Sequence, residues 1–149
     1  MATARTFHAA TLLSDGRVLV TGGTGGTNDL ASAEIYDPKT GTFAATGSMK
    51  DARVYQTAAL LSDGRVLVAG GGADYTNGIF LASAELYDPK TGTFSVTGSM
   101  IEARTYQTAS VLADGRVLVT GGYGAQAPLA SAELYDPKTG TFSPAGSGG

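Results

Sequence analysis

Catalysis needs a nucleophile, an acid–base pair or a metal, and the residues that could supply one here are few. His8 is the single histidine among 149 residues, and there is no cysteine. A thiol nucleophile, a thiolate metal site and a disulfide framework are therefore excluded from the start. A Ser-His-Asp triad would have to be assembled around His8, which stands at the start of a strand pattern and reads better as a packing residue. The glycine-rich run from Gly22 to Asp29, GGTGGTND, lacks the Gly-Lys-Ser/Thr ending and the following helix of a phosphate loop. It also fails as a calcium-binding GGxGxD pattern, because Thr27 stands where Asp is needed. The expectation is a protein without catalytic residues, metal or cofactor.

Recognition is the other chemistry on offer. Three loops follow double glycines: TGGTNDL from Thr24, GADYTNGIFL from Gly72 and YGAQAPL from Tyr123. Aromatic rings stack and Asn, Asp and Gln side chains hydrogen-bond, so Asn28, Asp29, Asp74, Tyr75, Asn77, Phe80, Tyr123 and Gln126 are the candidate binding residues for a glycan or a protein. The alternative is that these loops are unselected connectors. Lys50, Asp51, Ile101 and Glu102 would flank the same rim as solvated linkers.

The elements that position these loops come from an internal repeat. HAATLLSDGRVLVTGG from His8, QTAALLSDGRVLVAGG from Gln56 and QTASVLADGRVLVTGG from Gln107 align without gaps. So do ASAEIYDPKTGTF from Ala31 and ASAELYDPKTGTF from Ala82 and Ala130. The units divide the chain into 1–49, 50–100 and 101–149, and length varies only between the double glycine and the second conserved block. Glu34, Glu85 and Glu133 recur, as do Arg5, Arg53 and Arg104. A charge copied into every unit argues for architecture, as ion pairs or backbone hydrogen bonds between strands or neighbouring units.

Turn chemistry divides each unit into four strands. Asp15-Gly16 predicts a two-residue type I′ hairpin between LLS and RVLV. The second strand, Val18 to Thr21, is apolar on consecutive residues, which implies burial on both faces. Gly22-Gly23 ends it, a third strand is expected from Ala31 to Asp37, and Pro38-Lys39-Thr40-Gly41 turns the chain into a fourth around Phe43. Asp63 and Asp114 repeat the hairpin role of Asp15. The fold class is all-β, with four antiparallel strands per unit.

This pattern resembles the kelch repeat, whose marks are a double glycine closing the second strand, Tyr-Asp-Pro closing the third and an aromatic on the fourth. They stand here as Gly22, Gly23 and Tyr36, then Gly70, Gly71 and Tyr87, then Gly121, Gly122 and Tyr135, with Phe43, Phe94 and Phe142. Two departures are Phe where kelch repeats usually carry Trp, and the first-strand His surviving only as His8, with Gln56 and Gln107 in its place. The resemblance implies three blades of a β-propeller. A kelch-type copper oxidase site, built from a Cys–Tyr cross-link and histidines, cannot be made from this chain.

Propellers generally close with four to eight blades, so three leave two blade faces uncovered. At about 60° per blade, three make half of a six-bladed ring, and a homodimer would complete it. The register of the ends fits: Met1 precedes Arg5 by four residues as Met49 and Met100 precede Arg53 and Arg104, and Gly146-Ser147 matches Gly47-Ser48 and Gly98-Ser99. Near-identity of the units reads as recent duplication or as an idealised, engineered blade, and the trimmed ends with their glycine-serine tail favour the second. The formal charge of −3, without a Lys/Arg cluster, argues against nucleic acid. No run approaches the roughly 20 apolar residues of a membrane span, and Met1 to Arg5 does not begin a signal peptide, so a soluble chain of undefined compartment is expected.

Overall fold

The computed structural model describes residues 1–74 and 77–147. β1 (Ala9–Leu12), β2 (Val18–Thr21), β3 (Ala33–Asp37) and β4 (Thr42–Ala45) form an antiparallel sheet in chain order. β5 (Thr57–Leu60) and β6 (Val66–Ala69) begin the second. After a small hairpin of β7 (Gly72–Asp74) and β8 (Ile79–Phe80), β9 (Ala84–Asp88) and β10 (Thr93–Val96) complete it. β11 (Thr108–Val111), β12 (Val117–Thr120), β13 (Ser131–Asp136) and β14 (Thr141–Ser147) form the third.

The second strand of each blade shows why the blades stack. Side chains alternate across a strand, so a strand with apolar residues at every position must be covered on both sides. Leu19 packs forward onto Val66 and Val68 of the second blade, with Leu13, Ile35, Met49 and Tyr87 in the same cluster. Leu67 packs forward onto Val117 and Val119 of the third, with Leu61, Leu86, Met100 and Tyr135. The two clusters are the two internal seams of the molecule. β1 lies against β5 and β5 against β11, so the first strand of each blade is innermost.

The hairpin turns differ from the expected two-residue type. Gly16 N–H donates to Leu13 O at 3.0 Å and Leu13 N–H to Arg17 O at 2.8 Å, which makes Ser14-Asp15-Gly16 a three-residue loop. Only Gly16 takes a positive φ, +87°, because the Asp15 carboxylate is occupied in accepting from Arg17 N–H and pairing with its guanidinium. Asp63 and Asp114 do the same with Arg65 and Arg116. The third strand starts at Ala33 rather than Ala31, since the Ala31 carbonyl leaves the ladder to accept Met49 N–H. The turn before Phe43 follows expectation: Gly41, at φ +69°, donates to Asp37 O at 2.8 Å.

Candidate assembly faces and loop rim

Each blade is clasped by one buried arginine. Arg53 donates through Nη1 to the carbonyls of Gly70 and Ser83, and through Nη2 to Ser83 Oγ and to Glu85 at 3.2 Å. Glu85 also accepts the N–H groups of Lys50 and Asp51, so the linker is held by its backbone rather than left to solvent. Arg104 and Glu133 repeat this with Ile101 and Glu102 N–H. Arg5 and Glu34 repeat it with Ala2 and Thr3 N–H. Burial pushes the Glu34 carboxyl up, but the hydrogen bonds from Ala2 N–H and the Arg5 guanidinium outweigh it and hold the group below the usual carboxylate range.

Contacts between blades form a second repeating set. Gly23 N–H donates to Arg53 O at 2.7 Å, and Gly71 N–H to Arg104 O at 2.8 Å. Gln56 Nε2 reaches Thr21 O and Gln107 Nε2 reaches Ala69 O, both at 2.8 Å. The Thr46 hydroxyl meets the Tyr87 hydroxyl, and Thr97 meets Tyr135, again at 2.8 Å. Gly47 N–H donates to Gly92 O and Gly98 N–H to Gly140 O, both at 2.9 Å. A Cβ on Gly70 would lie 2.5 Å from Gln107 Nε2 and 2.6 Å from Arg104 O, so only glycine admits the next blade there.

The end faces carry the same positions without neighbours. Around Gly121 the nearest atom to an added Cβ is 3.6 Å away and belongs to its own blade. Leu118 and Leu134 are half-buried where Leu19, Leu67 and Leu86 are buried. On the opposite face Tyr36 is half-buried and Phe43 is 39% exposed, although Tyr87 and Tyr135 are sealed. The fourth-strand phenylalanines pack within their own blades on these tyrosines, with centroids 4.8–4.9 Å apart.

The loop rim gathers some of the predicted residues and adds others. Asn28 and Asp29 line a cavity of about 470 Å³ together with Thr24, Thr27, Phe7 and Tyr55. Phe80 pairs with Gly72 in the β7–β8 hairpin, and Asn77 is exposed at its turn. Tyr123 and Gln126 stay in the loop of the third blade, outside this cavity. Asp74 ends β7, and Tyr75 lies outside the described residues. Phe7, Tyr55 and Tyr106 are not among the candidates that the loop sequences suggest. All three adopt positive φ (57°, 55° and 57°) and stack in series, with centroids 4.3 Å and 4.1 Å apart. The backbone conformation lets Tyr55 N–H reach Phe7 O and Tyr106 N–H reach Tyr55 O, a belt joining the blades near the inner strands. The signal was present as an aromatic two residues after each recurring arginine. Among the described residues no group of three or more His, Cys, Asp or Glu is placed to hold a metal, and no helix is long and apolar enough to cross a membrane.

Four-stranded antiparallel blades packed face to face around inner first strands define a β-propeller repeat protein. The sequence matches the kelch motif over residues 5–50, 53–101 and 104–149, and the chain belongs to the kelch-repeat family. No curated protein matches it. Its fold is similar to the solved structure of YjhT, with a TM-score of 0.83 and 14% sequence identity over 97% of this chain and 52% of that one. This chain thus spans about half the length of that protein.

Proposed function

We propose that the chain is a non-enzymatic scaffold, a half-propeller that completes a six-bladed ring with a second copy of itself. The observation that supports this is the match between the two uncovered faces: each presents the half of an internal seam that the other lacks. One face offers Val18, Tyr36 and Phe43, the counterparts of Val66, Tyr87 and Phe94. The other offers Leu112, Leu118 and Leu134, the counterparts of Leu13, Leu19 and Ile35. Apolar faces of this kind mark interfaces, and a two-fold axis pairs both at once. Light scattering across a dilution series tests the reading. It expects about 30 kDa, twice the 15.0 kDa chain, with a melting temperature that rises with concentration. A folded 15.0 kDa species at every concentration would reject it.

A second reading is a binding module for a glycan or a protein at the loop rim. The cavity beside Phe7, Tyr55, Asn28 and Asp29 favours it, being within the volume range of small-ligand sites and lined by rings and hydrogen-bonding groups. A glycan array whose signal is lost in Tyr55→Ala or Asp29→Ala would support it, and a silent array together with an empty pulldown would reject it.

A further inference from the structure

The two internal seams are near-copies of each other, so they serve as templates for a third that has not formed. We propose that the uncovered faces join a second copy in this same register, with His8 of the partner subunit set against Thr120 and the partner subunit's Met1 sealing the seam. The inference rests on the ring-closing reading above and specifies its interface.

Five positions carry it. Met49 and Met100, each four residues before a clasp arginine, are both 4% exposed within the two seam clusters, whereas Met1, at the same offset from Arg5, is 51% exposed. Its neighbour Ala2 is already fixed by Glu34 as Lys50 and Ile101 are fixed by Glu85 and Glu133. Met1 is therefore held at the edge of a seam that this chain alone does not contain.

Gln56 and Gln107, 8% and 7% exposed, cross to the carbonyls of Thr21 and Ala69. The equivalent acceptor on the last blade is Thr120 O, and the equivalent donor on the first is His8, which is exposed. Gly122 N–H corresponds to the Gly23 and Gly71 donors, and Arg5 O to their acceptors.

One pair is mismatched. The hydroxyls of Thr46 and Thr97 pair with those of Tyr87 and Tyr135, but the last blade has Ala145 where those threonines stand, so Tyr36 of the partner subunit would face a methyl group. The C-terminal segment also differs: β14 runs on to Ser147, which pairs with Ser131, and Gly146 takes φ +100°. Thr46–Met49 instead passes toward the next blade, with Gly47 N–H on Gly92 O. Closure in the internal register requires the end of β14 to leave Ser131 and follow that path.

The absence of cysteine makes the register testable by crosslinking. In the double variant His8→Cys/Thr120→Cys, a short bis-maleimide should give a covalent dimer, and neither single variant should, because the two-fold axis keeps identical positions apart. Ala145→Thr should restore the missing hydroxyl pair at both seams, tightening the dimer about fivefold per seam and roughly 25-fold in Kd. A dimeric protein in which the double variant stays uncrosslinked and Ala145→Thr leaves Kd unchanged would overturn this register while leaving ring closure standing. A protein that is monomeric throughout, with Ala145→Thr also monomeric, would overturn both.

Discussion

Tyr87 and Tyr36 occupy the same place in successive blades, yet Tyr87 is 1% exposed with its hydroxyl on Thr46, whereas Tyr36 is half-buried and no hydrogen bond reaches its hydroxyl among the described residues. Gly70 and Gly121 differ in the same way: an added Cβ at one would collide with Gln107 and Arg104 of the next blade, whereas at the other it would meet only Leu129 O of its own blade, at 3.6 Å. The residues are alike and the backbones are alike, so the difference lies in what stands beside them. A propeller blade is therefore a half-finished unit whose side chains are chosen for a neighbour. The arginine clasp behaves otherwise. It lies within a blade and is nearly the same in all three, with the arginine side chains fully buried at the end face as at the seams.

That contrast between seam and clasp can be broken by substitution. The largest effect is expected for Arg53→Met, which strands the buried Glu85 carboxylate and should cost about 3–5 kcal/mol in denaturant unfolding. Because the clasp is internal to a blade, Arg5→Met should cost a similar amount. A much smaller cost for Arg5 would show that the clasp depends on neighbouring blades.

Gly70→Ala comes next, at about 3 kcal/mol or more, since a methyl group meets Gln107 and Arg104 and the backbone has φ +65°. Gly121→Ala should cost the folded chain only the backbone strain of about 1–2 kcal/mol, while shifting the mass in light scattering toward monomer. Equal losses at both glycines would erase the distinction between seam and end face.

Tyr87→Phe should lose about 1 kcal/mol through the Thr46 hydroxyl, and Tyr36→Phe should be neutral in chain stability.

Acid sharpens the clasp side of the comparison. Glu34 is held below the ordinary carboxylate range in the folded state, so its contribution is complete only above about pH 5, begins to fall as the unfolded-state carboxyl protonates, and is gone once pH has passed through the lowered folded value. The melting temperature should be level from pH 7 to about 5 and then fall, and Glu34→Gln should flatten part of that acid limb.

The sequence made the repeat, the strand order and the family legible, because turn residues and doubly apolar strands recur three times in register. It placed the arginine and glutamate in architecture for a sound reason, since no single site needs three copies. The hairpin type is ambiguous in the sequence because Asp15 has two uses: it tolerates positive φ, and it caps Arg17, and the second prevails. The β7–β8 hairpin is not legible in the sequence because its strands are too short to show alternation. The aromatic belt escaped because bulky residues rarely take the left-handed region, and nothing local announces that Phe7, Tyr55 and Tyr106 do. Of the candidate site, Asn28 and Asp29 do share a cavity, but their aromatic neighbours come from the strand entry rather than from the loops.

Ring closure is tested most directly at one backbone amide. Gly23 N–H and Gly71 N–H are each bonded to the next blade's arginine carbonyl, and in the proposed ring Gly122 N–H is bonded to Arg5 O of the partner subunit. Residue-resolved hydrogen exchange at high protein concentration should find Gly122 protected to the same order as Gly23 and Gly71, with its protection falling first on dilution. Rapid exchange at Gly122 while Gly23 and Gly71 remain protected, unchanged by concentration, would contradict the half-ring account.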